Sequence, residues 1–154
     1  MSIFSFLHKQ PVFFSIKEKD QIVRAIGIAE KETSGEIRIY VESRNPMVNV
    51  MDRAAEIFFS LKMEKTDHRN GVLLYIAIKD KELALFGDEG IYNKVGADFW
   101  NHAVKGMITE FSSENISNGI EKCILHIGET LKEKFPYDAA SDKNELPDDI
   151  VFGK

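Results

Sequence analysis

The first half of the chain alternates between helical and extended hydrophobic patterns. Residues 15–18 (Ser-Ile-Lys-Glu) have the composition of a capping box, and apolar residues recur behind them at helical spacing, which predicts a helix over 16–33. Strict alternation over residues 36–43 predicts a strand whose residues Ile37, Ile39 and Val41 face the core. A second helix is predicted around residues 54–61, on the apolar spacing there.

The second half begins with extended patterns and continues with helical ones. A nearly unbroken apolar run over residues 71–78 predicts a central strand that is covered on both faces. A turn then leads into a short strand at 82–87, so these two strands should form a hairpin. Apolar stripes over 99–108 and 116–131 predict two further helices. After residue 135 acidic residues crowd a tail that we expect to fray, with 150–152 as the part able to dock.

The order of these elements predicts an α/β fold, a three-layer αβα sandwich with a small mixed sheet. A helix between the first two strands implies a parallel pair with a right-handed crossover, and the hairpin makes the third strand antiparallel. Arg38 and Tyr40 share a strand face with Glu36 and Glu42, and so polar a face favours a strand near a sheet edge over one that lines a cleft.

Length and charge restrict the organisation of the chain and its partners. At 154 residues we expect one domain over 15–135, preceded by an apolar segment at 1–14 and followed by an acidic tail at 136–154. A net charge of -5 argues against a nucleic-acid partner. The segment 1–14 lacks the features of a signal peptide, no stretch approaches the roughly 20 apolar residues of a membrane helix, and the single Cys123 forms no internal disulfide. These features predict a cytoplasmic monomer.

Four short motifs, in order along the chain, resemble those of TPM domains. Residues 33–39 are similar to the T-G-x-I-x-V start of that family's first strand, and residues 70–74 (Asn-Gly-Val-Leu-Leu) resemble its D-N-G-V-L-L stretch. Residues 86–91 match the turn from the third strand into a helix, and residues 118–120 match the opening of the last long helix. The resemblance extends from residue 15 to residue 131.

The resemblance implies a mixed sheet between helices, with a fourth strand that the sequence does not locate. TPM domains are often secreted or membrane-tethered; they include a thylakoid protein with acid phosphatase activity and a photosystem II repair factor, and some are associated with calcium. This chain departs from the family in lacking an export signal, and in carrying Arg69 where many relatives have the Asp of D-N-G. Any metal or phosphate chemistry that depends on this Asp is therefore in doubt here.

Four acidic residues should meet at one edge of the predicted sandwich. Glu36 begins the first strand, Asp67 lies in the loop before the parallel second strand, and Asp88 and Glu89 follow the antiparallel third strand at the same end. Clustered carboxylates repel one another unless a cation neutralises them, and hard cations such as calcium prefer oxygen ligands from loops. We therefore predict a divalent metal site, with Ca²⁺ as the ion and these four carboxylates as ligands.

The alternative is a solvated edge in which each carboxylate pairs with a base such as Arg38, Arg69 or Lys65. Three functions remain open: a metal-responsive binding or regulatory module with a protein partner, a metal-assisted acid phosphatase, and a structural domain without a site. The sequence assigns no reaction. It contains no cysteine-x5-arginine loop, since Cys123 lies on an apolar helix stripe, and His68 is expected to be an exposed loop residue.

Overall fold

The computed structural model describes residues 13–112, 116–137 and 149–153, and of residues 97 and 107–112 only the backbone is described. Five helices and four strands follow one another in this part of the chain: α1 Ile16–Glu30, β1 Glu36–Glu42, α2 Val50–Ser60, β2 Gly71–Ala77, β3 Glu82–Gly87, α3 Glu89–Val95, α4 Ala97–Ser112, α5 Ile116–Lys134 and β4 Ile150–Phe152. None of the described helices combines the length and the apolar character needed to cross a bilayer.

The four strands form one open, mixed sheet in the order β3-β2-β1-β4. β1 and β2 are parallel, with Glu36 opposite Gly71, and β2 and β3 form the antiparallel hairpin. β4 is parallel to β1, with Ile39 opposite Ile150. The predicted α/β class and mixed sheet are therefore confirmed, and so are the three predicted strands to within a residue at their ends.

β2 lies at the centre of the structure because its two faces enter two different cores. All seven of its residues are buried. Val72, Leu74 and Ile76 pack with the residues of α1 and α5 on one side of the sheet. Leu73, Tyr75 and Ala77 pack with α2 on the other. An unbroken apolar run fits only a strand with this double burial, which explains why β2 shows no alternation of polar and apolar residues.

Helix α1 is fixed at its beginning by its own cap and near its end by close packing against α5. The Ser15 hydroxyl accepts a hydrogen bond from the Glu18 N–H at 3.1 Å, and the Glu18 carboxylate accepts one from the Ser15 N–H at 2.9 Å. This confirms the capping box. The backbone bond from Ser15 lowers the pKa of Glu18. Further along, a Cβ at Gly128 would lie 2.6 Å from that of Ala29, so α1 and α5 approach as closely as they do because Gly128 has no side chain.

The segment 150–152, which was expected to be the part of the tail able to dock, pairs with β1 as β4 Ile150–Phe152, the fourth strand that the sequence did not locate. β1 lies beside the edge strand of the sheet but is not itself that strand, because β4 pairs with three of its residues on the side away from β2. Residues 1–12 and 138–148, and the apolar side chains predicted at 107–108, lie outside the described residues. The division of the chain at residues 15 and 135 stays a prediction.

We expect Leu73→Ala to lower the free energy of unfolding by about 2 to 5 kcal/mol, because it would leave a cavity beneath α2 at a fully buried position. Chemical denaturation monitored by circular dichroism would measure this. Val48→Ala is the matched control, since Val48 is fully exposed and its truncation should change stability by less than about 0.5 kcal/mol. Equal effects of the two substitutions would contradict the placement of β2.

Candidate functional site

The beginnings of β1 and β2 and the end of β3 meet at one end of the strands. We call this end, with Glu36, Asp67, Asp88 and Glu89, the acidic edge. Glu36 lies opposite Gly71 in the parallel pair, and its N–H donates to the Asn70 carbonyl at 3.4 Å. The Asp88 N–H donates to the Gly71 carbonyl at 2.9 Å, which holds the end of β3 beside the start of β2. This edge carries the loop from Lys62 to Asn70 and the turn into α3.

Arg69 neutralises Asp88, one of the two buried acids of this edge. Its Nε and Nη2 donate to the two oxygens of Asp88 at 2.7 and 2.8 Å, in a bidentate pair. Its Nη1 donates to Glu89 at 3.1 Å. Asp88 is only 3% exposed and also accepts from the Glu89 N–H at 2.8 Å, as the N-cap of α3. Pairing with Arg69, which the sequence left as an alternative, is therefore the arrangement in this structure.

The backbone joins the same two loops. The Gly90 N–H donates to the Arg69 carbonyl at 2.8 Å. A Cβ at Gly90 would lie 2.2 Å from the His68 carbonyl oxygen and 2.5 Å from that of Arg69. Only glycine tolerates such an approach of backbone to backbone. Arg69 itself has a φ of 50°, a left-handed conformation that turns its carbonyl and its guanidinium towards α3.

The edge still carries more negative than positive charge around Arg69. The pKa of Arg69 is raised chiefly by its hydrogen bonds to Asp88, and the charges of Glu89 and Glu64 raise it further. Residues 62–70 together with Glu36, Asp88 and Glu89 carry five carboxylates and three cationic side chains (Lys62, Lys65 and Arg69), an excess of two formal negative charges. Such an excess favours the approach of a cation, and the exposed part of the cluster is screened by salt.

Two buried oxygens near Arg69 have no hydrogen-bond donor within the described part of the chain. They are Oδ1 of Asn70, a residue that is fully buried, and Oε2 of Glu64. The Asn70 side chain is oriented by the bond that its Nδ2 donates to the Ser34 hydroxyl at 3.2 Å. A buried acceptor without a donor is costly, and oxygen acceptors are also what hard cations bind.

The four predicted ligands thus have different environments. Asp88 and Glu89 share Arg69, Glu36 is buried at the start of β1, and Asp67 is exposed in the loop. Among the residues whose structure is described, no three of the types His, Cys, Asp and Glu lie close enough together to hold a metal ion by themselves. The metal site at these residues stays a prediction.

Sequence reasoning missed Asn70 and Glu64 as candidate ligands. Asn70 could have been found, because it belongs to the motif that resembles D-N-G. Glu64 gave no signal, since it is one of several charged residues in a polar loop. The donor set as a whole fits a hard cation in chemical type, because it consists of carboxylate and amide oxygens.

A second polar cluster lies at the opposite end of β1, around Glu42. Arg53 on α2 donates from Nε and Nη2 to the two oxygens of Glu42, at 2.8 and 2.9 Å. The Tyr75 hydroxyl also donates to Glu42. Burial, followed by this contact with Glu42, raises the pKa of Tyr75. Because each charged or polar group here has its partner inside the protein, we interpret the cluster as the link that holds α2 to the sheet.

Cys123 is unsuited to nucleophilic chemistry. Burial on α5 raises the pKa of its thiol to about 12, so very little thiolate is present near neutral pH. This agrees with the interpretation of Cys123 as an apolar residue of a helix stripe.

Comparison with known proteins agrees with the four sequence motifs. The family model described as TPM domain matches residues 9–130. The NMR structure of the BA42 protein from the psychrophilic bacterium Bizionia argentinensis is 39% identical, with a TM-score of 0.86 over 94% of this chain and 99% of that one. The N-terminal domain of cg2496 from Corynebacterium glutamicum, 11% identical with a TM-score of 0.64 over 88% and 84% of the two chains, shares the fold alone. None of the curated proteins matches this chain at a significant level.

We expect Asp88→Ala to lower the free energy of unfolding by at least the roughly 0.5 to 2 kcal/mol of a lost N-cap, because Asp88 caps α3 and is buried against Arg69. Asp88→Asn is the matched control, since asparagine keeps the capping oxygen but loses the charge and one of the two acceptors for Arg69. Urea denaturation of both variants would separate the two contributions. A smaller loss for Ala than for Asn would contradict the capping role.

We expect native Cys123 to react with Ellman's reagent at pH 8 at least a hundredfold more slowly than the same thiol in guanidinium chloride. A pKa near 12 instead of 9.0 lowers the thiolate fraction by roughly a thousandfold, and burial restricts access as well. Absorbance at the wavelength of the released thiolate would follow the reaction. Similar rates in the native and unfolded protein would contradict the burial of this thiol.

Proposed function

Because the chain belongs to the TPM domain family, we propose that it is a divalent-cation-responsive binding module, in which the acidic edge orders the loops that a protein partner contacts. The observation that carries the proposal is the pair of buried acceptors, Asn70 Oδ1 and Glu64 Oε2, that lack a donor beside an excess of negative charge. A hard cation such as Ca²⁺ would satisfy these oxygens and the charge together.

The residues of this edge would act in two ways. Arg69 already holds Asp88 and Glu89, so it fixes the turn into α3 without an ion. Asn70 Oδ1 and Glu64 Oε2 would contact the cation first, and the predicted ligands Asp67 and Glu36 would have to move towards them to join. Asp88 and Glu89 would join them only in competition with Arg69. The module would then respond to cation concentration through the order of the loop from Lys62 to Asn70.

A metal-assisted acid phosphatase is supported less well by these contacts. Such an enzyme needs a metal with an open position for water, and a carboxylate free to hold the metal. Both oxygens of Asp88, a buried acid of the edge, are instead engaged by Arg69. The excess negative charge around Arg69 would also repel a phosphate ester.

We expect millimolar Ca²⁺ to raise the melting temperature and a chelator to lower it, because a ligand that binds only the folded state stabilises that state. Arg69→Gln should enlarge the difference, since it removes the internal competitor for Asp88. Asp88→Asn and Glu64→Gln should each reduce it. Glu129→Gln, on the exposed surface of α5, is the control that should leave it unchanged. Differential scanning fluorimetry in parallel with Mg²⁺ would measure all of these effects.

Two results would decide against the proposal. A melting temperature indifferent to Ca²⁺, Mg²⁺ and chelator in both the parent protein and Arg69→Gln would leave a solvated edge held by Arg69 alone. Hydrolysis of p-nitrophenyl phosphate at acid pH, dependent on added metal and lost in Asp88→Asn, would instead support the phosphatase.

A further inference from the structure

The side of β3 that faces away from β2 forms the floor of a groove. β3 is an outer strand of the described sheet and pairs there with β2. Along its other side runs a concavity of about 580 Å³, with Leu83, Ala84 and Leu85 among the residues that line it. The start of α2 contributes Val50 and Met51 to one wall, and residues of α3 and α4 form the other. Nothing in the proposed function uses this groove.

The free side of β3 carries backbone groups that can pair with another strand. The hydrogen bond from the Asp88 N–H to the Gly71 carbonyl fixes which residues of the antiparallel hairpin bond to one another. Because such pairs alternate along a strand, the even-numbered residues of β3 bond to β2. Leu83 and Leu85 therefore direct their N–H and C=O groups into the groove. Within the described part of the chain, no other backbone group bonds to these four.

These backbone groups are recessed below the rim of the groove. Leu83 and Leu85 are buried, whereas Met51 and Tyr92 at the rim are 43% and 55% exposed. Backbone N–H and C=O groups that are held away from bulk water are costly unless a partner takes up their hydrogen bonds. The floor thus requires donors and acceptors at the spacing of a β-strand.

Trp100 adds an unpaired donor to the α4 wall. It is 8% exposed, and its Nε1 has no acceptor among the residues that the structure describes. The indole lies against the end of β3, where a Cβ at Gly87 would be 2.5 Å from its Cη2. The ring of Tyr92 stacks on it with centroids 6.2 Å apart. A buried indole N–H usually has a hydrogen-bond partner, so this fixed donor beside β3 also requires an acceptor.

We propose that the groove binds an extended apolar segment of a partner protein as an additional strand beside β3. An extended backbone presents N–H and C=O groups at the spacing of the free side of β3. Its side chains would alternate between the α2 wall, with Val50, and the α4 wall, with Trp100 and Val104. Because both walls are apolar there, consecutive apolar residues suit the segment, and an oxygen near its end could accept from Trp100 Nε1.

The depth of the groove favours a single segment over a second copy of this chain. In a second copy, β3 would be recessed between its own α2 and α4 in the same way. The helices of the two copies would therefore meet before their β3 strands came within the roughly 4.8 Å of paired strands. An extended segment without flanking helices has no such obstacle.

The test is ¹⁵N–¹H NMR of the full chain with the peptide acetyl-Lys-Val-Val-Thr-Val-Ile-Lys-amide, in the presence of a chelator. In the free chain we expect the amides of Leu83 and Leu85 to exchange with D₂O at least about tenfold faster than those of Ala84 and Phe86. The peptide should remove this difference. It should also move the indole N–H signal of Trp100, the single tryptophan of the chain, downfield as Nε1 gains an acceptor.

Two controls separate strand pairing from apolar adsorption. The same peptide with N-methyl groups on alternate residues keeps its side chains but loses donors, and should bind at least about tenfold more weakly. Met51→Gln should weaken binding of the parent peptide about fivefold or more, since it places an amide in an apolar wall. Ile28→Gln, the same kind of change at an exposed position of α1, should leave the affinity unchanged.

The other possible occupants of the groove give different results. Slow exchange of Leu83 and Leu85 in the free chain at every protein concentration would show that the chain itself covers β3, and would overturn the proposal. Slow exchange that appears only at high concentration, with a doubled mass in analytical ultracentrifugation, would show a pair of copies and overturn it too. Equal binding of the two peptides, or no change at β3 and Trp100, would likewise contradict it. The chelator keeps these outcomes independent of cation binding at the acidic edge.

Discussion

The structure depends on the burial of β2 on both of its faces. Because Leu73 and Tyr75 face α2 while Val72 and Leu74 face α1 and α5, one strand joins two cores that would otherwise be separate. β1 and β3 pair with its two sides. The beginning of β1 and the end of β3 are thereby brought to the start of β2, and this juxtaposition creates the acidic edge.

The polar side chains at the two ends of β1 differ in whether their hydrogen-bonding groups have partners. At the far end of β1, Glu42 has Arg53 and Tyr75 as internal partners, and the cluster is satisfied and buried. At the near end, Arg69 satisfies Asp88, and no described residue donates to Asn70 Oδ1 or Glu64 Oε2. The first arrangement is that of a structural link, and the two acceptors of the second are the feature on which the proposed cation response rests.

Arg69 reverses the charge at one position of the motif that resembles D-N-G. In the family pattern an Asp at this position would add a further negative charge to the edge, whereas the guanidinium here supplies a positive charge from within the chain. The bidentate pair and the Gly90 contact together join the two loops without any ion. A cation would therefore contribute less to stability in this chain than in a fully acidic cluster, and under the proposed function it would have to compete with Arg69 for Asp88.

Sequence alone determined what depends on periodicity and on neighbours along the chain. The alternation at Ile37 and Ile39, the apolar run of β2 and the capping box at Ser15 are local patterns, and each predicted its element correctly. Only the tertiary structure decided the position of β4, whose three residues are too few to carry a pattern and gain their identity by pairing with β1. It also decided that Arg69 binds Asp88 and that Gly90 lies against the Arg69 carbonyl, because these facts depend on distances between segments that are far apart in sequence.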